Sequence, residues 1–235
     1  MKTKNISVTD SSRSPLATIL LLSWPVFIEQ ILVALVQSVD TAMVGSLGAN
    51  ATAAVSISQA PMMMINGVIM ALGVGFTALV ARSVGAKEIE RARELVRQAI
   101  ATVLLIGLPI GLLCLALARK IPLWMGAAPD ILDAAAQYNR IIAYCMAFRG
   151  LSMVLTAIYR GFGDTKTPMY INIFVNLLNV VGNYLLIYET RPITLFGNSF
   201  TVWGAGLGVA GAAISTSASA ILGALILLVY TFVHK

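Results

Sequence analysis

Residues 15–44 read PLATILLLSWPVFIEQILVALVQSVDTAMV, and this stretch decides the class of fold. It is apolar apart from a few hydroxyls and amides and two carboxylates, Glu29 and Asp40. A membrane span needs about 20 mainly apolar residues, so the run is long enough to cross a bilayer. It lacks the short apolar core and cleavage site of a secretory signal peptide. Five more runs of the same kind follow, at 53–80, 99–118, 141–159, 168–188 and 204–233. Pro25, Pro61, Pro109, Gly107 and Gly111 fall inside these runs. Such residues are tolerated in membrane helices, where they mark kinks or close packing. The expected fold is therefore all-α. A polar tail, residues 1–14, precedes one bundle of six transmembrane helices over residues 15–235.

The composition agrees with that reading. Over 235 residues the chain is 58% hydrophobic and 11% charged, with a mean hydropathy of +0.86. Globular domains carry about 25% charged residues, so a soluble fold of this size could not cover its surface with charge. Sixteen Lys and Arg against ten Asp and Glu give a net charge of +6. In a soluble protein that balance would raise nucleic acid as a partner. Here no basic cluster is interleaved with exposed aromatics, and excess cations are what the cytoplasmic loops of membrane proteins carry.

The cations also orient the chain. Lys2, Lys4, Arg13, Arg82, Lys87, Arg91, Arg93, Arg97, Arg160, Lys166 and Lys235 fall on one side of the membrane. Arg119, Lys120, Arg140 and Arg191 fall on the other. The richer side is expected to face the cytoplasm, with both termini inside and the protein in the plasma (inner) membrane. Within it, GAKEIERARELVRQ (85–98) alternates charge at helical spacing and reads as a short solvated helix on the cytoplasmic face.

Enzymatic chemistry finds no support. Cys114 and Cys145 lie in apolar runs without metal-ligand or redox spacing and read as small core residues. His234 is the single histidine, and no ligand partners surround it. No phosphate-binding glycine loop, GxSxG elbow or HExxH occurs. Any transport has to draw on an ion gradient, with no cofactor beyond a coupling ion.

Polar groups at membrane depth are costly unless they face protein or water, so they are functional candidates. Glu29 and Asp40 are eleven residues apart, which puts them on nearly the same helix face and ~16 Å apart. Gln37 lies on the same side. The fifth span carries Asn172, Asn176, Asn179 and Asn183, all within an arc of roughly 60°. Gln59 and Asn66 share one face of the second span, and Arg149 is a buried charge in the fourth that could pair with Glu29. Such amide stripes also serve as inter-helix glue. Depth arithmetic at 1.5 Å per residue lets Asp40, Asn179, Asn183, Ala212 and Thr216 converge in the outer half of the membrane. Their carboxylate, amides, hydroxyl and backbone carbonyls are hard ligands that suit Na⁺, and Asp40 alone suits a proton.

WPVFIEQILVALVQSVDTAMVGSLG (24–48) resembles the first helix of the multidrug and toxic compound extrusion (MATE) transporters. YRGFGDTKTPM (159–169) is similar to that family's loop between the fourth and fifth helices, and GVAGAAISTSAS (208–219) to the start of its sixth. With VGAKEIERAR (84–93) these motifs follow the family's order along nearly the whole chain. The resemblance implies antiport of a cationic or amphipathic small molecule against Na⁺ or H⁺. It places Asp40 as the cation-coupling group, with Asn179, Asn183, the Ala212 carbonyl and Thr216 as its partners. Glu29, Gln37, Gln59, Asn66, Asn172, Asn176 and Arg149 remain candidates for lining a cavity. Where some members carry a second acid this chain has Asn183, which makes protonation of Asp40 at least as natural as Na⁺ binding.

Family members have two six-helix lobes, and the resemblance covers the N-terminal one. The chain is expected to need a second lobe or a homodimer partner, and not to export drugs as a monomer. Two alternatives stand beside this: a lipid-linked oligosaccharide flippase of the same superfamily, and an inactive truncated membrane remnant.

Overall fold

The computed structural model describes residues 14–195 and 198–234. Residues 1–13 of the expected tail, Lys235 and the side chain of His234 lie outside the described residues. The elements run α1 (Pro15–Gly45), α2 (Ala49–Gly85), α3 (Ile89–Ala116), a short α4 (Lys120–Trp124), α5 (Pro129–Tyr144), α6 (Met146–Gly161) and α7 (Lys166–Ile187). A hairpin of β1 (Glu189–Leu195) and β2 (Asn198–Ala205) leads into α8 (Gly208–His234). Helices α1, α2, α3, α7 and α8 are each long and apolar enough to span a membrane, and α5 and α6, bent by 53° at Cys145, are together long and apolar enough for a sixth span. The chain is a multi-pass membrane protein of mainly helical fold.

Three departures from the expected spans have local causes. The charged segment 85–98 is not a separate short helix, because from Ile89 onward it forms the first turns of α3. Its charges pair at i,i+3, Arg91 with Glu88 (3.1 Å), Arg93 with Glu90 (2.8 Å) and Arg97 with Glu94 (3.7 Å). All are solvated, so each contributes only a few tenths of a kcal/mol.

The fourth span begins well before residue 141 and breaks at Cys145. There the Cys145 amide bonds the carbonyl of Ile142, three residues back, at 3.2 Å. The Ile141 carbonyl accepts instead from Ser217 Oγ of α8 (3.4 Å). Cys145 and Cys114 are both free and buried, as core residues of small size should be.

The third departure is the hairpin, which takes up residues assigned to the sixth span, so that α8 starts at Gly208 and not at 204. Its strands are antiparallel, with register running from Glu189 opposite Ala205 to Leu195 opposite Asn198. The hairpin is anchored to the bundle. Arg191 stacks its guanidinium over the rings of Tyr188 (4.0 Å) and Tyr184 (4.7 Å). The Tyr188 hydroxyl shares a hydrogen bond with Ser46 Oγ in the turn between α1 and α2 (2.8 Å). The amides of Gly206 and Leu207 bond the carbonyls of Tyr188 (2.8 Å) and Leu186 (2.9 Å), which satisfies acceptors that the end of α7 leaves free.

The main core lies where α2, α3, α6 and α8 meet, around Ile69, Val103, Leu155, Tyr159 and Leu227. Large apolar side chains such as Phe27, Leu105, Leu112 and Phe232 face outward, as lipid requires. Helix α1 packs mainly on α7 and stands off α2, while α7 packs closely on α8. That last contact depends on glycine. A Cβ on Gly211 would overlap the Leu186 backbone carbonyl, and one on Gly182 would overlap Ser215 Oγ. Gly211→Val is therefore expected to destabilise the lobe by about 1–3 kcal/mol, because backbone cannot yield as a side chain can. Gly75 has open space around its Cα, so Gly75→Ala serves as the neutral control in thermal unfolding of the purified protein. Equal melting temperatures for the two variants would refute the packing argument.

Candidate functional site

Three helices each carry two polar side chains spaced by eleven residues: Glu29 and Asp40 on α1, Arg149 and Arg160 on α6, Asn172 and Asn183 on α7. Eleven residues make three turns, ~16 Å along the axis. Helices α1 and α7 run in one direction through the bundle and α6 in the other. The six side chains consequently fall into two layers, one near the α2–α3 turn and one near the hairpin.

The layer near the α2–α3 turn is closed. Arg160 Nη2 donates to Glu29 Oε2 (3.0 Å) and Asn172 Nδ2 donates to Glu29 Oε1 (2.7 Å). Glu29 is only 5% exposed, so both carboxylate oxygens are desolvated and both find donors. This corrects the expected pairing of Glu29 with Arg149. The antiparallel course of α6 sets Arg160 at the depth of Glu29 and carries Arg149 three turns away.

The layer near the hairpin is open. Asn183 Nδ2 donates to Asp40 Oδ1 (2.6 Å). The Asn179 carboxamide is placed with its nitrogen toward Asp40, since the reverse leaves its oxygen facing only acceptors. It then donates to Oδ1 and Oδ2 (3.2 and 3.1 Å) while its oxygen accepts from the Thr216 amide (3.2 Å). Ser215 Oγ donates to the Asn179 backbone carbonyl (2.8 Å), which fixes α7 to α8 at this depth. Asn183 is 1% exposed, and its Oδ1 has no hydrogen-bond partner among the described residues. The Asp40 carboxylate thus sits among amide donors beside a buried acceptor that has nothing to accept from.

A cavity of about 430 Å³ opens next to this carboxylate. Of the residues singled out from the sequence, Gln37 and Asp40 of α1, Gln59 and Asn66 of α2, Arg149 of α6, Asn183 of α7, and Ala212 and Thr216 of α8 line it. Glu29 and Asn172 lie outside it in the closed layer. Asn176 also lies outside it and makes no side-chain hydrogen bond among the described residues. Asn179 reaches the site through Asp40 and does not line the cavity.

Tyr138 and Met62 line the cavity as well and were not singled out from the sequence. Tyr138 shares the cavity wall with both Arg149 and Asp40. It sits on α5, most of which precedes the expected fourth span at 141–159.

The sequence profile of the MatE family matches residues 25–185. Among curated proteins the chain is 29% identical over 208 residues to the uncharacterized transporter YisQ of Bacillus subtilis, covering 88% of this chain and 43% of that one. It is 30% identical over 207 residues to the probable multidrug resistance protein YoeA of the same organism, covering 88% and 42%. Among solved structures it superposes on a MOP superfamily transporter from Pyrococcus furiosus with a TM-score of 0.84 and 26% identity, covering 99% of this chain and 48% of that one. The chain spans about half the length of the relatives it matches. The profile takes in well over half of the chain and all spans but the last, and the fold agrees over nearly its full length; the chain belongs to the MATE family of membrane transporters.

Proposed function

We propose that this chain is the N-terminal lobe of a secondary multidrug antiporter, with Asp40 as the group that couples export to Na⁺ or H⁺ entry. One observation carries the reading. At membrane depth, beside a cavity, a carboxylate held by two amides adjoins the unpartnered Asn183 Oδ1. Carboxylate and orphan acceptor both lack positive charge, and a cation supplies it. A Na⁺ ion would draw on Asp40, Asn183 Oδ1, the Ala212 carbonyl and the Thr216 hydroxyl, which are hard oxygen ligands. A proton would need Asp40 alone. Either ion neutralises the site and removes the electrostatic reason for it to hold a cationic drug, which is the exchange an antiporter requires. A flippase for lipid-linked oligosaccharide is the weaker reading, because Arg149 is the one cation lining the cavity among the described residues.

Alternating access in such transporters moves one bundle against another around a site at their interface. Six spans make one bundle, so export needs a second lobe or a second copy. The test is dye efflux from liposomes that hold this lobe joined to the C-terminal half of YoeA. Efflux that follows an imposed Na⁺ or proton gradient is expected, and efflux indifferent to both gradients would refute the proposal.

The cation count supports an inner-membrane protein with both termini in the cytoplasm. Ser46, in the exposed α1–α2 turn, should then face outward. Ser46→Cys is expected to react with an impermeant maleimide added to intact cells, in a background lacking Cys114 and Cys145, while Lys87→Cys stays protected. The opposite pattern would invert the topology.

A further inference from the structure

The two polar layers contain the same three residue types, a carboxylate, an asparagine and an arginine, but they are assembled differently. In one, Arg160 bonds Glu29 directly. In the other, Arg149 and Asp40 line a common cavity, and no ion pair reaches Arg149 among the described residues. The equal spacing of eleven residues on α1 and on α6 sets these two charges at matching depth. They stand on walls formed by helices that barely touch. A guanidinium at membrane depth without a counter-charge is costly, and such residues mark the path of a substrate. Its five donors lie in a flat fork that matches a carboxylate or phosphate and suits an ammonium group not at all.

We infer that the cavity is a two-point site for an amphoteric small molecule, which sets its anionic group on Arg149 and its cationic group toward Asp40. The inference rests on the drug-site reading above and deepens it. A purely cationic drug would face Arg149 across the same cavity and meet repulsion. A zwitterion pairs both charges and leaves its apolar body against Met62, Tyr138 and Val55, which also line the space. Gln59 and Asn66, on α2, add neutral donors and acceptors to the same lining.

The experiment uses the full 235-residue chain in nanodiscs of phosphatidylcholine and two dyes of nearly equal size. Rhodamine B has a free carboxylate and is a zwitterion, whereas its methyl ester is a cation. Fluorescence polarisation should show rhodamine B binding about tenfold more tightly, a difference of about 1.4 kcal/mol. Arg149→Gln is expected to remove that preference while leaving or improving affinity for the ester. Arg149→Lys keeps the charge and should keep a smaller preference of the same sign, so the inference remains testable if the glutamine variant does not fold.

Equal affinity of the wild-type chain for the two dyes would overturn the inference alone. So would an Arg149→Gln variant that loses both dyes in proportion, since that is the mark of a structural role. Binding of neither dye would overturn the drug-site reading together with it. Repeating the titration in phosphatidylglycerol nanodiscs separates a substrate anion from a lipid phosphate. A preference that persists supports the substrate, and one abolished by the anionic lipid assigns Arg149 to the headgroup and overturns the inference.

Discussion

Asp40→Asn abolishes gradient-driven dye efflux and leaves the lobe folded; that is the expected result, and the local geometry explains why both halves should hold together. The substitution preserves the size of the side chain and removes only its charge. The new amide nitrogen would oppose the Asn183 amide nitrogen that now donates to Asp40 at 2.6 Å. Rotation of the Asn183 carboxamide relieves this, because it presents Oδ1, an acceptor with no present partner. The variant therefore keeps a hydrogen bond between α1 and α7, and its melting temperature should stay within a few degrees of the parent. What it cannot do is bind or release a cation in exchange for drug. Efflux should fall to the level of protein-free liposomes under Na⁺ and proton gradients alike, and affinity of the isolated lobe for a cationic dye should fall with it, since the carboxylate that attracts the cation is gone. Undiminished efflux would remove Asp40 from the mechanism.

Much of this site was legible in the sequence because membranes impose simple arithmetic. Lipid-spanning helices show as apolar runs, and a polar residue within one stands out against that background. The eleven-residue interval between Glu29 and Asp40 and the asparagine stripe of α7 could be placed on common faces from the helical repeat alone. The structure brings Asp40, Asn179, Asn183 and Thr216 together at one depth. Adjacency between helices was not legible. The fourth span was ended at residue 159, so Arg160 was counted with the cations outside the membrane and Arg149 stood as the partner for Glu29; the structure carries α6 to Gly161 and sets Arg160 against Glu29.

The bend leaves no strong sequence signal, since Cys145 is neither proline nor glycine. It is held by Ser217 of α8, seventy-odd positions along the chain. The hairpin did leave a signal. Ile193, Thr194, Thr201, Val202 and Trp203 are β-branched or aromatic residues on either side of Gly197, a pattern strands favour. A search for apolar runs merges the end of that pattern with the helix that follows it, which is why the sixth span was begun too early.

The closed layer gives the second large effect. Glu29→Ala should cost the lobe about 3 kcal/mol, near the lower end of the range for breaking a buried ion pair. The carboxylate is 7% exposed and Arg160 is 29% exposed, so water reaches the stranded guanidinium in part and softens the loss. The stranded groups are the Asn172 amide and an arginine whose Nε already lacks a partner among the described residues. Replacing both members of the pair tests whether the cost is that of uncompensated charge. Glu29→Leu with Arg160→Leu removes the charges together and fills similar volume, so it should recover most of the stability lost by Glu29→Ala. Thermal unfolding of the three proteins in one detergent measures this, and a double variant no more stable than the single one would sink the argument. The same samples test the separation of the layers. Glu29 lies three helical turns, ~16 Å, from Asp40, on the same helix but outside the cavity. If the ion pair serves only to fasten α1 to α6 and α7, dye affinity in the double variant should match the parent even though the single variant melts earlier. A loss of affinity in the double variant, with stability restored, would instead mean that the charge of the closed layer is felt in the open one.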